Sequence, residues 1–289
     1  MFVPAHNERL LNSAMNSDAD VLLFDIEDSV QPVQNKQIAR DNIIKRVSNG
    51  DYKNFHIFPR INDRESGHLI KDLMQLTIEG IDGFMYPKAY KGEDIYFIDK
   101  LLEAIEYEKS FQPGHFKLIP LIETSAAVLN AQEICQASNR VVAIAFGCED
   151  FVTDLKGKHD SEGMSIFSPR AMIAMAARAN NVAPIDTVHI KVHDLEDLEK
   201  NLDIAKKLGF EGMLVLNPKE LPLVHKYFSP TKIEIEDALE MLELADLAYK
   251  NSQGVAVKGN KFIGPPMVKM AKDILFRNEL IENRTCQKR

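Results

Sequence analysis

Short apolar runs recur along most of the chain, and each is followed by polar residues and then by a stretch with helical spacing of its apolar residues. Alternation of such strands and helices is typical of a parallel sheet. Eight strands are predicted, at residues 2–4, 21–25, 55–60, 83–86, 117–122, 141–146, 187–190 and 212–216. Eight strand–helix units predict a (β/α)8 TIM barrel, with an open doubly wound sheet as the alternative.

Apolar residues three and four positions apart predict the intervening helices. These cover residues 35–47, 66–79, 93–108, 125–137, 169–180 and 195–208. After the eighth strand the alternation stops, and residues 232–250 and 267–283 predict two more helices around a Gly-rich link, GVAVKGNKFIGPP. We therefore expect a catalytic barrel over residues 1–230 and a C-terminal helical extension, or lid, over residues 231–289.

Composition and charge exclude several classes of protein. Of the 289 residues, 45% are apolar, which is ample for a sizeable core. Lys and Arg total 35 against 43 Asp and Glu, so a net charge of −8 gives no basic surface for nucleic acid. Three cysteines without CxxC spacing argue against disulfides or a zinc site and favour a reducing compartment. No run approaches the roughly 18 apolar residues of a membrane span, so we expect a cytoplasmic protein.

The candidate site residues follow from the barrel geometry. Active sites of (β/α)8 barrels lie at the C-terminal ends of the strands, so polar residues just after each apolar run should share one mouth. Such residues follow strands two to six, in chain order Asp25, Glu27 and Asp28, then Arg60 and Asn62, then Lys88, then Glu123 and Thr124, then Gly147, Cys148, Glu149 and Asp150.

Two of these carboxylates are candidate metal ligands. Glu123 follows the apolar run LIPLI and Asp150 follows VVAIAFG, so neighbouring strands deliver one carboxylate each to the same end of the barrel. Magnesium typically takes one or two protein carboxylates and fills its other positions with water or substrate oxygens. The alternative is that each carboxylate caps a helix or pairs with a basic neighbour.

Arg60 is the candidate substrate ligand, because a guanidinium at a strand end can hold a carboxylate or enolate in two parallel hydrogen bonds. The alternative is a structural ion pair with Glu27 or Asp28. The backbone amides of Cys148 and Glu149, after Gly147, could hold a second carboxylate of the ligand, although spacing alone favours a structural loop. The eight histidines form no HExxH or HxH pair, and no phosphate-binding glycine loop occurs.

Several motifs resemble those of the citrate lyase β subunit family, which includes malyl-CoA and citramalyl-CoA lyases within the HpcH/HpaI aldolase superfamily. The motifs occur in family order from Val3 to about Lys272: FVP, LLFDIEDSV, FPRIN, YPK, LIET, AFGCEDF, PIDTVHI, LGFEG and YFSP. The resemblance is most specific at LIET and the GxED loop.

The resemblance implies a magnesium-dependent (β/α)8 barrel, usually a homotrimer or larger, that cleaves or forms a carbon–carbon bond beside a thioester. By motif, Glu123 and Asp150 correspond to the metal ligands and Arg60 to the residue that holds the substrate and its enolate. Lys36 and Arg40 match a stretch near the coenzyme A or carrier arm. The implied reaction is a retro-aldol or retro-Claisen cleavage that releases a small keto acid.

The chain departs from the family at four positions. Gly264 stands where thioester-handling members have an Asp in a GxMxDxP stretch. Asn217 replaces a His, Met213 replaces a Lys, and Lys191 replaces a frequent Asp. These departures keep two further functions open: a non-catalytic or acyl-carrier-dependent lyase subunit, and a metal-dependent pyruvate aldolase that works without coenzyme A. The general acid or base is then a different residue or a metal-bound water.

Overall fold

The computed structural model describes residues 1–160, 162–251, 255–259 and 261–287. It divides the chain into two compact units, Met1–Val224 and His225–Arg289. The functional division proposed from the sequence, a catalytic barrel to residue 230 and a lid after it, stays a prediction.

The first unit contains eight parallel strands. They are β1 (Phe2–Pro4), β2 (Val21–Asp25), β3 (His56–Ile57), β4 (Gly83–Tyr86), β5 (Lys117–Ile122), β6 (Ala143–Phe146), β7 (Ala183–Asp186) and β8 (Gly212–Met213). Strands β1 to β3 pair in order, as do β4 to β8. Arg60, which follows β3, forms a parallel bridge with Met85 in β4, and the Phe2 amide donates a 2.9 Å hydrogen bond to the Val215 carbonyl after β8. These two contacts close the ring, so the prediction of a (β/α)8 barrel is confirmed.

Apolar side chains from most strands fill the barrel. Because side chains alternate across a strand, every second residue points inward. The interior cluster consists of Leu23, Phe58, Met85, Ile119, Leu121, Ala143, Ala145 and Leu214, each at most 9% exposed. This packed interior leaves only the ends of the strands for polar chemistry.

Within the part of the chain that the structure describes, ten helices follow or connect these eight strands. They are α1 (Glu8–Ala14), α2 (Asn35–Ser48), α3 (Leu69–Leu76), α4 (Gly92–Glu108), α5 (Ser125–Leu129), α6 (Ala131–Gln136), α7 (Cys148–Asp154), α8 (Met164–Ala179), α9 (Leu195–Leu208) and α10 (Leu221–Phe228). Short 3-10 helices occur at Arg64–Ser66 and Pro218–Glu220.

The predicted seventh strand, at residues 187–190, is wrong. The strand β7 lies at Ala183–Asp186 and pairs with β6 in the register Ala143 to Ala183. Pro184 lies inside this strand, although proline has no N–H to donate to a ladder. In the structure Pro184 contributes its carbonyl instead, which accepts a 2.9 Å hydrogen bond from the Glu211 amide.

Helix boundaries also differ from the prediction. The helix predicted at 125–137 is two helices that meet at Asn130. The helix predicted from residue 169 begins at Met164, with Pro169 inside it. Asp160 explains the earlier start, because its carboxylate accepts hydrogen bonds from the Met164 and Ser165 amides at 3.1 and 2.9 Å.

The second unit contains α11 (Lys232–Lys250), an antiparallel hairpin of β9 (Ala256–Lys258) and β10 (Lys261–Ile263), and α12 (Pro265–Gln287). The two predicted helices are therefore present, whereas the hairpin replaces part of the predicted link. Thr231 begins α11 with a capping box, in which its side chain and that of Glu234 bond each other's amides at 3.2 and 2.7 Å. Among the described residues, no helix combines the length and apolarity that crossing a bilayer requires.

Candidate active site

Glu123 is a buried acid at the mouth of the barrel, directly after β5. It is 3% exposed. Its Oε1 accepts a 2.6 Å hydrogen bond from the Lys88 backbone amide, at the end of β4. No described residue donates a hydrogen bond to its Oε2, so this oxygen keeps its capacity to bind a ligand.

Asp150 reaches the mouth from the next strand. It is the third residue of α7, which begins directly after β6 and Gly147. Asp150 lies in the first turn of α7, and its carboxylate forms neither a hydrogen bond nor an ion pair with any described residue. Its role as a metal ligand stays a prediction. Gly147 packs against Glu123, because a Cβ at residue 147 would lie 2.9 Å from the Glu123 Cβ and 3.1 Å from its Oε2. Residue 147 must therefore be glycine for the backbone to lie this close to the Glu123 side chain.

The charges of these acids influence one another. Burial is the main reason that the pKa of Glu123 rises to about 8, and the negative charge of Glu27 raises it further. The charge of Asp150 acts in the same direction, while the Lys88 amide and Arg60 oppose it. Burial, followed by the charge of Asp28, raises the pKa of Asp150. The mouth therefore holds an excess of carboxylate whose charges oppose each other's ionisation.

Arg60 lies between two of the rim acids. Its Nε and Nη2 donate to the two carboxylate oxygens of Asp25 at 2.8 and 2.7 Å, and its Nη1 lies 3.1 Å from Glu27 Oε2. Burial alone would raise the pKa of Asp25, but the hydrogen bonds and charge of Arg60 hold it below its usual value. The structure thus shows the structural ion pair that the sequence left open, while the remaining N–H groups of Arg60 are available to a substrate.

The side chain of Lys88 contacts residues that follow two other strands, and the Lys88 backbone adopts an uncommon conformation. Its φ is +52°, in the left-handed region that L-residues seldom adopt. Its Nζ lies 3.0 Å from Glu27 Oε1 and donates to Asp63 Oδ2 at 3.1 Å. Burial would lower the pKa of the Lys88 ammonium, but these two carboxylates raise it above its usual value, so Lys88 is a permanent cation at this mouth.

Lys36 and Arg40 lie in α2 and are buried. The Lys36 ammonium donates to the carbonyls of Ile26 and Glu27 at 3.1 and 3.0 Å, and the Arg40 guanidinium donates to Asp72 at 2.7 Å. These contacts favour a structural role, because both cations already have partners. The contact with coenzyme A inferred from the resemblance stays a prediction.

The backbone amides at the start of α7 are partly occupied. The Cys148 amide donates to the Thr187 hydroxyl at 3.2 Å, which favours the structural-loop interpretation for that amide. Burial raises the pKa of the Cys148 thiol to about 12, so the thiol is a poor nucleophile. The predicted substrate contacts of Cys148 and Glu149 stay predictions.

The positions that depart from the resembled family have ordinary structural partners. Asn217 caps the Pro218–Glu220 turn by accepting from the Lys219 amide at 3.1 Å. Lys191 donates to Asp197 at 2.7 Å, and Met213 lies in β8. Gly264 follows β10 in the second unit.

Sequence reasoning missed two acids that position the site. Asp63 holds Lys88, and Asp72 accepts from the Asn62 amide at 2.8 Å and from its side chain at 2.7 Å. Asp63 lies three residues after Arg60, close enough to a strand end to have been included. Asp72 lies on α3, and no sequence pattern marked it as buried.

The structure is a parallel barrel with carboxylates and an arginine at the C-terminal ends of its strands, the end at which the active sites of such barrels lie. The sequence pattern of the HpcH/HpaI aldolase/citrate lyase family matches residues 1–218. Because this match covers most of the chain, the protein belongs to that family and is a carbon–carbon lyase by class.

Individual relatives agree with this assignment. The chain is 31% identical to the citrate lyase subunit beta of Haemophilus influenzae over 96% of this chain and 95% of that one. It is 28% identical to the L-malyl-CoA/beta-methylmalyl-CoA lyase of Cereibacter sphaeroides, over 97% and 94%. The citrate lyase beta subunit of M. tuberculosis, solved with oxaloacetate and magnesium, is 26% identical over 80% of this chain and 96% of that one, with a TM-score of 0.65.

Proposed function

We propose that this protein is a Mg²⁺-dependent lyase that cleaves, or in reverse forms, a carbon–carbon bond of a small hydroxy acid or of its coenzyme A thioester. In this proposal Glu123 and Asp150 bind the cation and Arg60 binds the substrate. The supporting observation is that β5 and β6 are paired, with Leu121 opposite Ala145, that Glu123 follows β5 directly and that Asp150 lies in the first turn of the helix after β6. The magnesium and oxaloacetate in the M. tuberculosis relative support the choice of cation and substrate class.

The residues at the mouth fit Mg²⁺. All the side-chain donors offered by Glu123 and Asp150 are oxygens, and Mg²⁺ combines one or two such carboxylates with water and substrate oxygens. The Glu123 Oε2 and the Asp150 carboxylate accept no hydrogen bond from any described residue. When bound, Mg²⁺ supplies positive charge that stabilises an oxyanion developing on the substrate.

Arg60 would orient the substrate. Asp25 holds the guanidinium through two hydrogen bonds of 2.8 and 2.7 Å, so its plane is fixed before substrate arrives. An arginine fixed in this way can donate its remaining N–H groups to the carboxylate of a keto acid or to its enolate oxygen. Because Asp25 already holds the Arg60 guanidinium in position, the guanidinium needs little reorganisation when negative charge develops on the substrate.

The proposed reaction also requires a proton transfer. Gly264 has no side chain that could do so, although the resembled thioester-handling lyases carry an Asp there. The proton donor or acceptor is therefore a group other than residue 264.

An assay of turnover tests the proposal. The full-length chain with Mg²⁺ or Mn²⁺ is incubated with 3-hydroxy acids and with their coenzyme A thioesters, and release of glyoxylate, pyruvate or oxaloacetate is measured. We expect release that requires the cation and stops on addition of EDTA. Absence of turnover for every substrate with either cation would contradict the proposal. Turnover of free keto acids and aldehydes alone would identify a pyruvate-type aldolase without coenzyme A.

A second candidate function is an acyl-carrier-dependent lyase subunit. The Haemophilus influenzae relative is named as a subunit, and residue 264 departs from the thioester-handling pattern. Activity that appears only after an acyl-carrier protein is added would favour this candidate. The homotrimeric or larger assembly and the cytoplasmic location stay predictions.

A further inference from the structure

A second group of metal-ligand atoms lies beside the candidate magnesium site. Among the described residues, one set of three or more His, Cys, Asp or Glu side chains places all its ligand atoms within 4.8 Å of one another: Cys148, Glu149 and His159. Glu123 and Asp150 are not members of this set. Cys148 and Glu149 begin α7, and His159 follows that helix in the connection to α8.

The distances suit a tetrahedral cation. The Cys148 Sγ lies 3.5 Å from Glu149 Oε1, and His159 Nε2 lies 2.7 Å from the same oxygen. Bonds of about 2.0 to 2.3 Å to a tetrahedral Zn²⁺ imply separations of about 3.3 to 3.8 Å between ligand atoms. The sulfur and the oxygen already satisfy this spacing. The oxygen and the nitrogen need to separate by only about half an ångström.

The ligand types select a soft cation over Mg²⁺. Thiolate and imidazole are ligands of Zn²⁺ and similar transition metals, whereas Mg²⁺ takes oxygen ligands. Three protein ligands leave a fourth position for water. The Cys148 side chain is buried, while the side chains of Glu149 and His159 are 53% and 32% exposed, so an ion can enter from the solvent side.

We propose that Cys148, Glu149 and His159 form a binding site for a zinc-class divalent cation at the start of α7. Binding breaks the Glu149–His159 ion pair and forms bonds from the cation to Sγ, Oε1 and Nε2. The thiol proton and the proton that His159 Nε2 shares with Glu149 both leave those atoms to solvent as the bonds to the cation form, so the sulfur binds as a thiolate and Nε2 binds through its lone pair. The bound cation ties the connection after α7 to the helix that carries Asp150. The spacing of the cysteines in the sequence does not reveal this site, because only one cysteine takes part.

Cobalt spectroscopy tests this site separately from the magnesium site. Co²⁺ is titrated into the reduced, metal-free, full-length protein with Mg²⁺ in excess. A sulfur-to-cobalt charge-transfer band and intense d–d bands report a tetrahedral site with a thiolate. We expect both, and we expect Zn²⁺ to abolish them by competition. Glu123→Gln and Asp150→Asn should keep the bands, so failure of the proposed magnesium site would not remove this signal.

Three variants identify the ligands. Cys148→Ser should lose the charge-transfer band, and His159→Gln should weaken Co²⁺ binding by at least about tenfold, the loss that even an outer-shell contact produces. Cys135→Ala is the matched control, since Cys135 is also buried but belongs to no such cluster, and it should keep the bands. His159 is partly exposed, so its variant tests the site even if Cys148→Ser fails to fold. Absence of the band in the natural sequence, its persistence in Cys148→Ser, or unchanged affinity in His159→Gln would overturn the proposal.

Discussion

The backbone amide of Lys88 donates a 2.6 Å hydrogen bond to Glu123 Oε1, and Lys88 adopts a φ of +52°. The end of β4 therefore orients the carboxylate that ends β5. The Lys88 side chain supports this conformation through its contacts with Glu27 and Asp63. Residues in such sparsely populated conformations persist only where their surroundings over-determine them, and they concentrate at functional sites.

Replacing Lys88 by glycine or by valine separates its backbone role from its charge. Both variants lose the ammonium, but glycine accepts a positive φ and valine resists it. We expect Lys88→Val to be less stable than Lys88→Gly by about 1–2 kcal/mol, the penalty for a left-handed L-residue. We also expect Lys88→Val to bind Mg²⁺ more weakly. Urea unfolding and calorimetric Mg²⁺ titration measure these differences, and equal values for the two variants would show that the amide does not position Glu123.

Glu123→Gln and Asp150→Asn should each abolish measurable Mg²⁺ binding, because each replaces an anionic oxygen ligand by a neutral amide of similar shape. The barrel should remain folded, since rim residues contribute little to the packed interior. Isothermal titration calorimetry and circular dichroism measure the two effects. The control is Asp203→Asn, which changes an exposed acid paired only with Lys207. A large loss of stability with unchanged Mg²⁺ affinity would assign these acids a structural role.

Gly147→Ala should weaken Mg²⁺ binding without removing any ligand. The new methyl group would lie 3.1 Å from Glu123 Oε2 and 2.9 Å from the Glu123 Cβ, so Glu123 must shift. Overpacking of this kind typically costs about 1–3 kcal/mol. Thermal unfolding and Mg²⁺ titration provide the measurement. Gly157→Ala is the matched control, because the nearest atom to its Cβ lies at an ordinary 3.5 Å. Unchanged Mg²⁺ affinity in Gly147→Ala would separate this glycine from the site.

Arg60→Lys should lower kcat/KM by about a hundredfold or more, the usual loss when one preorganised donor to a developing anion is removed. Lysine retains the charge but cannot reproduce the two parallel hydrogen bonds to Asp25. Steady-state kinetics on whichever substrate the assay identifies measure the loss. Arg64→Lys, at a side chain that is 56% exposed, is the control. Kinetics of Arg60→Lys that match those of the control would exclude Arg60 from substrate binding.

The Glu106–Arg140 pair predicts a pH dependence of stability. The Arg140 Nη1 and Nη2 each donate to Glu106 at 2.6 Å, and the amides of Phe116 and Gly114 also donate to it. Burial alone would raise the pKa of Glu106, but these donors hold it below its usual value in the folded protein. Its contribution to stability is therefore complete above the unfolded pKa of about 4.3, and it is lost as pH falls through the lower folded value.

Glu106→Gln should thus cost about 3–5 kcal/mol at pH 7, the range for removing one partner of a buried pair. The difference from the natural sequence should shrink as the pH falls below about 4. Urea unfolding at several pH values measures both trends. Glu93→Gln, at an exposed side chain, should change little. A difference that stays constant down to the lowest pH would contradict the assigned ionisation.

Local sequence patterns were sufficient to predict the (β/α)8 barrel architecture. Strand runs separated by helical spacing predicted eight units, and the ends of β5 and β6 were read correctly because apolar runs stop there at Glu123 and Gly147. The pattern failed at β7, where Pro184 contributes only a carbonyl to the ladder, and at α8, where Pro169 lies inside the helix. Both elements contain a proline, a residue that is typical of the boundaries of strands and helices.

The sequence by itself determined the order of the strands and which acids and arginine follow them at one end of the barrel, because strand direction and side-chain alternation follow from nearest neighbours in the chain. Only the tertiary structure decided which side chains pair with each other. Asp25 rather than Asp28 holds Arg60, Asp72 binds Arg40, and His159 meets Glu149 beside Cys148. The first two contacts join residues from different strand–helix units, and the third spans the connection after α7, so their geometry depends on barrel closure and loop course, which no local spacing encodes.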